Sequence, residues 1–389
     1  MQNNIKLIRT ATIAASLDIL LKGQLHYLNN YFEVIAVSGN DKHLQTIKRR
    51  EGVTIVDVPI SRKINIFFDI VSLFRLYRTF RKEKPTIVHS ITPKAGLLSM
   101  TAAWLARVPI RMHTFTGLVF PTQRGLMKKI LIATDKIVCR MATNVYPEGK
   151  GVKNDLIANA ITSKPLKVLA NGNVNGIDTA FFDTNHFTDT DKQSLRKKWN
   201  IHPEDFIFVF VGRLVGDKGI NELVQAFSKI NVQHESIKLV LVGAYEHDLD
   251  PLRPLTLDII YNNPNIITTD FQDDIRPFLA MSDVFVFPSY REGFPNVVMQ
   301  AGAMELPSIV TDINGCNEII QHNCNGIIIS SKDTITLTHA MQQLIEDPTF
   351  CQSLAQNARP YITSRYEQQM VWDTLLAEYQ LLLIEKVVK

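Results

Sequence analysis

The sequence predicts an α/β protein built from two successive doubly wound domains. Short runs rich in Val and Ile alternate with amphipathic helical patterns along most of the chain, and this alternation is interrupted once, at residues 171–188. Apolar strands between helices are typical of a parallel sheet that is covered on both faces. The length of 389 residues also fits two domains of ordinary size.

The first half of the chain contains seven predicted strands and three clear helices. The strands are Ile5–Ile8, Val34–Ser38, Thr54–Val58, Ile87–Ser90, Arg111–Phe115, Thr143–Tyr146 and Leu166–Leu169. The helices are Ile66–Arg81, Ala95–Arg107 and Arg124–Arg140. The interruption that follows begins with NGNVNGID, whose Gly and Asn residues indicate a linker. We therefore expect residues 1–175 to form the first domain.

The second half repeats the pattern. Its predicted strands are Phe206–Val211, Lys238–Val242, Asn265–Thr269, Val284–Pro288, Ser308–Thr311 and Gly326–Ile329. We expect a second domain at 190–365, followed at 366–389 by a long amphipathic helix that packs back toward the first domain. Ligands of doubly wound sheets bind at the carboxyl ends of the strands, so the sequence predicts a site in a cleft between the two domains.

Composition and cysteine content favour a folded enzyme from a reducing compartment. The apolar fraction is 46%, which is too high for a disordered chain. The four cysteines lack CxxC spacing, which argues against a zinc site or a disulfide framework. No run of about 18 apolar residues predicts a membrane span, and the start of the sequence lacks the features of a signal peptide. We therefore expect a cytoplasmic protein.

Charge is distributed unequally along the chain. Residues 1–170 contain 26 Lys and Arg against 10 Asp and Glu, whereas residues 171–389 contain 16 against 28. Basic and apolar residues are interleaved in Ile66–Arg81 and Arg124–Arg140, a pattern typical of binding to an anionic lipid surface. The alternatives are a solvated basic surface and a nucleic-acid partner. The second usually requires more stacking aromatics, so we predict peripheral binding to the inner face of the cell membrane and no nucleic acid.

The first chemical motif is FVFVGRLVGDKGINELVQAF, at residues 208–227. A buried strand ends at Gly212, and a loop containing Arg213 and Lys218 leads into a helix. Two cations beside the free N–H groups of a helix N-terminus suit a diphosphate, and Arg can bind it with two parallel hydrogen bonds. Taken alone, the motif is equally compatible with a loop that carries two solvated cations.

The second motif is VFVFPSYREGFPNVVMQAGAMELPSIVTD, at residues 284–312. It again predicts a strand, a loop and a helix, which starts near Pro295 or Asn296. Glu292 lies in the loop, where its carboxylate could accept hydrogen bonds from sugar hydroxyls, and Gly293 and Phe294 could offer backbone N–H groups. A single acid in a loop is more often solvated. Its pairing with the first motif in one domain favours a binding role.

Two histidines in residues 88–117 lie near the ends of apolar strands. His89 and His113 occupy adjacent predicted strands, and neither has a Cys or acid at metal-ligand spacing. A histidine on such a strand is usually a core residue. Two of them at neighbouring strand ends make a role at the predicted cleft an equally good interpretation.

The quoted motifs resemble the retaining glycosyltransferases of family four, which have the GT-B architecture. The resemblance lies in GRLVGDKG, SDVFVFPSYREGFPNVVMQAGAM and LPSIVTDINGCNEII, and TPKAGLLSMTAAWLARVPIRMHTFTG extends it into the first domain. It therefore covers nearly the whole chain. The sequence is most similar to transferases of bacterial capsule and lipid-linked oligosaccharide synthesis that use UDP-sugars, often N-acetylated ones.

The resemblance implies a role for each site residue. Arg213 and Lys218 would hold the donor diphosphate, and Glu292, the first acid of the family's E-x7-E motif, would contact the donor sugar. The remaining implied residues are Gly293 and Phe294 as backbone donors to the sugar, His113 near the reacting carbon and Phe271 beside the nucleobase. Gln300 stands where the family has the second acid, which binds ribose. Gln keeps an acceptor oxygen but loses the charge, which predicts a several-fold loss of donor affinity.

The implied reaction is transfer of a hexose from a UDP-sugar to a lipid-linked or polysaccharide acceptor, with retention of configuration. The diphosphate leaving group can take the acceptor's proton, so the resemblance implies no cofactor and no metal. The DxD triplets Asp189–Asp191 and Asp248–Asp250 fall in the predicted linker and in a surface loop, away from the motifs. The first loop also departs from the family, because Thr12–Ser16 lacks its usual paired glycines.

Other functions fit less well. A dinucleotide-dependent oxidoreductase needs GxGxxG after the first strand, and Lys6–Ser16 contains no glycine. A sugar-nucleotide epimerase of similar fold would not carry GRLVGDKG and REGFP. A non-catalytic subunit that binds nucleotide-sugars remains an alternative because of Gln300, and hydrolysis of the donor would distinguish an enzyme from it.

Overall fold

The computed structural model describes residues 5–61, 65–246 and 250–388, and it divides into two compact units. The first unit comprises the chain up to Gly176 together with the segment from Gln368 onward. The second unit is Ile177–Glu367. Each unit is built around one parallel sheet with its own apolar core.

The first unit contains six strands and eight helices within its described residues. The strands are β1 (Lys6–Ile13), β2 (Glu33–Gly39), β3 (Thr54–Asp57), β4 (Ile87–Ile91), β5 (Ile110–Phe115) and β6 (Asn144–Pro147). The helices are α1 (Ala14–Leu20), α2 (Gln24–Asn29), α3 (His43–Glu51), α4 (Ile66–Glu83), α5 (Pro93–Leu105), α6 (Gly125–Met141), α7 (Lys150–Ala158) and, at the end of the chain, α16 (Gln368–Val388).

The described residues of the second unit form the same number of strands. They are β7 (Phe206–Val211), β8 (Ile237–Val242), β9 (Ile266–Thr268), β10 (Val284–Phe287), β11 (Ser308–Thr311) and β12 (Gly326–Ile329). Its helices are α8 (Asp189–Lys198), α9 (Ile220–Asn231), α10 (Pro254–Asn262), α11 (Arg276–Ala280), α12 (Asn296–Ala303), α13 (Cys316–Ile319), α14 (Thr334–Glu346) and α15 (Pro348–Tyr366).

The two sheets share one topology. Their strand orders are β3-β2-β1-β4-β5-β6 and β12-β11-β10-β7-β8-β9, and all neighbours within each sheet are parallel. The order reverses between β1 and β4 in one sheet and between β7 and β10 in the other. Such a switch point is where doubly wound sheets bind ligands, because the loops on either side diverge there. The predicted fold class, two doubly wound Rossmann-like domains, is confirmed.

One predicted strand is wrong. Residues 166–169 form no strand, and Leu166 makes only an isolated bridge with Val145 at the edge of the sheet. Pro165 precedes it and has no N–H to donate, and the chain turns soon afterwards at Gly172. Proline at such a position limits pairing with a neighbouring strand.

The last helix, α16, belongs to the first unit. Its apolar side chains Val371, Leu375, Tyr379 and Leu382 recur at helical spacing and are buried. The predicted helix is therefore present with one apolar face. Within the described part of the chain, no helix is both long enough and apolar enough to cross a membrane.

Candidate active site

The candidate site lies in the second unit, where β7 and β10 are adjacent and their loops leave the sheet. The loop after β7 includes a 3₁₀ turn, Gly216–Lys218, and ends at Gly219, where α9 begins. Gly219 has φ of +73°, and a Cβ there would lie 2.1 Å from the carbonyl oxygen of Pro288. Only glycine permits this approach, which brings the loop after β7 against the loop after β10.

Hydrogen bonds join these two loops. The backbone N–H of Tyr290 donates to the carbonyl oxygen of Asp217 over 2.9 Å. The Asp217 carboxylate in turn accepts from Nη2 of Arg291 over 3.1 Å. The two motifs, more than 70 residues apart in sequence, therefore form one surface at the switch point.

Lys218 and Glu292 meet on this surface. Their side chains are only 15% and 16% exposed, and the Lys218 ammonium forms an ion pair with Oε1 of Glu292. The same oxygen accepts a hydrogen bond of 2.8 Å from the hydroxyl of Ser289. The Lys218 ammonium also lies 5.4 Å from the centre of the Phe287 ring, a cation–π distance. The structure thus brings together a residue predicted to bind the diphosphate and the residue predicted to bind the sugar.

Arg213 is held by a residue that no sequence motif identified. Its Nη1 lies 2.7 Å from Oε2 of Glu246, and the two side chains are 47% and 36% exposed. Glu246 belongs to the loop after β8, whose backbone pairs with that after β7 through the bridge between Leu214 and Tyr245. The only sequence signal was that β8 neighbours β7, so acids just beyond Val242 lie at the same edge of the sheet.

The loop after β10 presents its backbone rather than its aromatic ring. The Phe294 side chain is buried and packs edge-on against Tyr366, with ring centres 5.5 Å apart. A Cβ at Gly315, whose φ is +77°, would lie 2.5 Å from the carbonyl oxygen of Gly293. The loop after β11 therefore packs closely against residues 293–294. Because the Phe294 ring is buried, the backbone of these residues is the part that can contact a ligand.

Gln300 and Phe271 are farther from this pair of loops along the fold. Gln300 lies in α12, the helix that follows Glu292, and is partly buried. Phe271 follows β9, the edge strand beyond β8, and is 71% exposed. Neither is joined to Glu292 by a described contact.

A second polar cluster anchors the loop after β10 to α9. The Tyr290 hydroxyl donates to Oε2 of Glu222 over 2.5 Å, and Nη2 of Arg253 lies 3.7 Å from the other carboxylate oxygen. Burial raises the pKa of Tyr290, and the hydrogen bond to Glu222 raises it further. The tyrosine therefore stays a hydrogen-bond donor and fixes the residue two positions before Glu292. Sequence reasoning did not identify this cluster.

His113 is buried in the first unit, and its role near the reacting carbon stays a prediction. It is 1% exposed, its Nδ1 lies 2.8 Å from the Ser90 hydroxyl, and its ring meets Phe115 edge-on at 4.5 Å between centres. A Cβ at Gly96 would lie 2.4 Å from Cε1 of the histidine, so the glycine makes room for the ring. Burial lowers the pKa of His113 to about 3. These are the surroundings of a neutral core histidine.

His89 is also a core residue. Its Nδ1 accepts a 2.6 Å hydrogen bond from Nη1 of the buried Arg9, which also donates to the Tyr379 hydroxyl over 2.6 Å. Its Nε2 lies 2.8 Å from Oγ1 of Thr114. Burial lowers the pKa of His89 well below its usual range, and the charge of Arg9 lowers it further. The imidazole is therefore neutral, and it links β1 and β4 to α16.

The switch point of the first unit is closed by two threonines instead of glycines. β1 runs directly into α1 at Ala14, so no open loop follows it. Oγ1 of Thr12 lies 2.8 Å from Oγ1 of Thr92, which adopts φ of +68°, and the Thr12 N–H donates to that oxygen over 3.1 Å. This pairing accounts for the departure noted at residues 12–16.

Comparison with known proteins identifies the family. Residues 191–361 match the family described as glycosyl transferases group 1, and residues 32–172 match the glycosyl transferase 4-like domain. The chain is 31% identical over 387 residues to the capsular polysaccharide biosynthesis glycosyltransferase CapM of Staphylococcus aureus, and the match covers 98% of each chain. The chain belongs to the family of group 1 glycosyl transferases.

Other relatives of this glycosyltransferase extend the comparison. It is 28% identical over 299 residues to the UDP-Gal:alpha-D-GlcNAc-diphosphoundecaprenol alpha-1,3-galactosyltransferase of Escherichia coli, with 74% of this chain and 73% of the relative covered. Its fold matches the crystal structure of Anabaena Alr3699/HepE in complex with UDP-glucose with a TM-score of 0.82 at 16% identity, over 97% of this chain and 100% of that one. The second match concerns the fold alone.

One acidic triplet of the glycosyltransferase lies in α8, and Asp250 of the other contacts the loop after β7. Asp189 and Asp191 are in the first turn of α8, where Asp191 forms a capping box with Thr188. Asp248 is outside the described residues, and Asp250 accepts a 2.6 Å hydrogen bond from the N–H of Asp217. Among the described residues, no group of three or more His, Cys, Asp or Glu side chains has a geometry that could hold a metal ion.

Proposed function

We propose that this glycosyltransferase moves a hexose, N-acetylated or related, from a UDP-sugar to a lipid-linked or polysaccharide acceptor in cell-surface glycan synthesis. We further propose that it retains the configuration of the sugar and needs no metal. The observation that carries the proposal is the contact between Lys218 and Glu292 at the switch point of β7 and β10. A cation and a carboxylate held together there suit a ligand with a diphosphate at one end and a sugar at the other.

The diphosphate would occupy the loop after β7. Lys218 supplies a charge that is largely shielded from water, and Arg213 supplies a planar group that can bind two phosphate oxygens at once. The first turn of α9 adds free N–H groups and a partial positive charge. Together these groups can stabilise the negative charge that develops on the leaving diphosphate, which is the task a metal ion performs in other transferases.

The sugar would lie against the loop after β10. Glu292 keeps its orientation through the hydroxyl of Ser289, so its second oxygen can accept from sugar hydroxyls. The backbone of Gly293 and Phe294 would donate to the sugar. We also retain Gln300 as a ribose contact and Phe271 as a nucleobase contact, because both lie at the same end of this sheet as the loops.

The chemistry follows from this arrangement. The bond between the anomeric carbon and the diphosphate oxygen breaks, and the acceptor hydroxyl bonds to the same carbon from the same face. The proton of that hydroxyl passes to the departing diphosphate, so the protein needs no general base. His113 is left out of this scheme because of its burial.

Relatives support the choice of substrates. The name of the E. coli relative specifies a UDP-sugar donor and an acceptor linked to diphosphoundecaprenol, and that of the S. aureus relative specifies capsular polysaccharide biosynthesis. An acceptor on a lipid carrier would place the enzyme at the anionic inner face of the cell membrane, which agrees with the excess of basic residues in 1–170.

Two helices of the first unit have surfaces that suit this location. At the start of α4, Ile66, Phe67 and Phe68 are 75%, 71% and 59% exposed, and the basic residues of the helix follow about two to four turns later. In α6, Leu126 and Ile130 are exposed beside Lys129. Large exposed apolar side chains next to cations favour an anionic lipid surface over water.

The apolar starts of these two helices lie at the same edge of the sheet, and the basic residues of α4 lie farther along that helix. Helices α4, α5 and α6 pack side by side, and each precedes a parallel strand, so each begins at the edge where the strands end. That edge is where a doubly wound sheet binds ligands. A membrane contact there would bring a lipid-linked acceptor to the binding edge of the first unit.

The test is a transfer assay with a panel of UDP- and GDP-sugars and acceptors linked to undecaprenyl diphosphate, in excess EDTA. We expect transfer from a UDP-sugar, with the anomeric configuration of the product the same as that of the donor. Transfer only after Mg²⁺ or Mn²⁺ is added would contradict the metal-free scheme. Donor binding without transfer or hydrolysis would identify a non-catalytic subunit.

A further inference from the structure

The loop after β8 is joined to the loop after β7 by the side chain of Glu246 and by Asp250, in addition to the bridge between Leu214 and Tyr245. Glu246 binds Arg213, and Asp250 accepts from the N–H of Asp217, while its carbonyl oxygen accepts from the N–H of Gly216 over 3.0 Å. Close packing of the two strand ends requires Gly243, where a Cβ would lie 1.8 Å from the carbonyl oxygen of Gly212. The position of Glu246 next to Arg213 is therefore set by the fold.

Both cations that we assign to the diphosphate are already paired with acids. Lys218 is paired with Glu292, and Arg213 with Glu246. Glu292 has a second partner in Ser289 and a proposed role toward the sugar. Glu246 has no described partner besides Arg213 and no proposed ligand. A diphosphate that enters such an electrically balanced site gains strong ion pairing only if a carboxylate releases its cation.

We propose that Glu246 competes with the diphosphate of the nucleotide for Arg213 and thereby speeds release of the UDP product. This inference rests on the proposed function. When the donor binds, Arg213 turns from Glu246 to the phosphates, which the exposure of both side chains permits. When the sugar has left, the carboxylate recaptures the guanidinium and the nucleotide loses one of its two charged contacts.

Competition of this kind has a predictable size. An exposed ion pair is weak, so the competing carboxylate should reduce the affinity for UDP by roughly fivefold. Replacing Glu246 with Gln removes the charge and keeps the shape. We expect the Kd of UDP, and its inhibition constant against the donor, to fall by about fivefold, and the difference to shrink in about 0.5 M salt.

The experiment measures UDP binding by calorimetry for wild type, E246Q, E246D, R213A and the double variant R213A/E246Q. E246D keeps the charge and should bind UDP within about twofold of wild type. R213A should bind more weakly, and adding E246Q to it should give no gain, because the carboxylate acts through Arg213. E235Q is the matched control, since Glu235 is an exposed acid that precedes β8, at the opposite end of that strand.

Each outcome has a distinct meaning. Weaker or unchanged binding in E246Q would overturn the inference, because Glu246 would then position Arg213 or have no effect on it. A gain that persists in the R213A background would overturn it as well, since the carboxylate would act on the phosphates directly. If wild type itself binds no UDP, the proposed function fails and the inference fails with it.

Discussion

We expect donor use to depend most on Lys218 and Glu292. Removing the ammonium in K218A leaves a carboxylate that is only 16% exposed next to the incoming diphosphate, with no cation to offset it. We expect kcat/KM to fall roughly 30- to 1,000-fold, which corresponds to a loss of about 2–4 kcal/mol of transition-state stabilisation. Lys229→Ala, an exposed residue in the last turn of α9, is the control and should leave kcat/KM unchanged.

A double-mutant cycle with E292Q separates the pair from its members. Because the two side chains touch, their effects on kcat/KM should not add. Additive losses, or K218A kinetics close to those of wild type, would show that the contact has no part in donor use.

We predict that the enzyme is active with Gln300 and that an acid at this position lowers the donor KM. Q300E restores the acid that the family has at this position, and its longer-range attraction for ribose hydroxyls should lower the donor KM several-fold with little change in kcat. Initial rates over a range of donor concentrations give the split between KM and kcat. An inactive but folded Q300E would mean that the site has been rebuilt around the amide.

His113 is predicted to matter for stability and not for turnover. H113N retains an acceptor near the Ser90 hydroxyl but leaves a gap beside Gly96, which should cost about 1–3 kcal/mol of unfolding free energy at pH 7. Turnover by the folded variant should stay within about threefold of wild type. If turnover instead fell by about two orders of magnitude while stability stayed intact, the catalytic role that the family resemblance implied would be restored.

The same histidine makes a pH-dependent contribution. Its pKa of about 3 in the fold lies below the ordinary value of 6.5, so the unfolded chain binds more protons between those two values. The stability from the neutral histidine is complete above pH 6.5 and is lost as pH falls toward 3. The stability gap between wild type and H113N should therefore narrow between about pH 7 and about pH 4.5 in denaturant titrations.

Among individual residues, the sequence predicted those that lie in motifs and missed those that hold the motif residues in place. Lys218 and Glu292 lie in the loops that follow two apolar strands, a position that the pattern predicts. Glu246 and Glu222 lie near the site only because the fold brings their elements next to the loops after β7 and β10. The burial of His113 could not be predicted, because a strand pattern does not reveal which side chains of the strand a helix covers.

Among the elements, α4 yields the sharpest prediction. The double variant F67S/F68S removes two exposed rings, each worth about 1.5–3 kcal/mol when buried in a lipid surface. The triple variant R75Q/R78Q/R81Q removes three cations, each worth about 1 kcal/mol there. Co-sedimentation with anionic vesicles should weaken in both, and neutral vesicles should bind little.

Salt distinguishes the two contributions. High salt should release wild type and F67S/F68S, whose cations remain, and should affect the triple variant least. Val232→Ser, which removes an exposed side chain of the second unit, is the control. Binding that ignores lipid charge and salt, or no binding to either vesicle, would discard the membrane proposal and leave the transferase proposal standing.

Elements were predictable where period and composition agreed. All twelve strands of the two sheets were found, since each is a short apolar run bounded by polar turns. Residues 166–169 were misassigned because LKVL resembles such a run, whereas pairing at a sheet edge also depends on the neighbours, which include Pro165. The exposed apolar start of α4 is likewise a property of packing that the sequence alone does not give.

For the molecule as a whole, the repeated topology determines where chemistry is possible. Each sheet has one switch point, but only that of the second unit combines, among the described residues, a glycine-opened loop, a shielded cation and a carboxylate. In the first unit, the Thr12–Thr92 contact lies at the equivalent position. One fold used twice thus provides one candidate nucleotide site, which the order of strands alone could not have predicted.

We infer that this site binds the diphosphate of a uridine nucleotide without a metal. This inference is tested most directly by calorimetric titration of UDP into wild type and K218A in excess EDTA. We predict saturable binding with one site per chain in wild type and a Kd at least about tenfold higher in K218A, since a charge-assisted contact contributes about 1.5–3 kcal/mol. Absence of binding by wild type, binding that appears only with Mg²⁺, or equal affinity in the two proteins would contradict the claim.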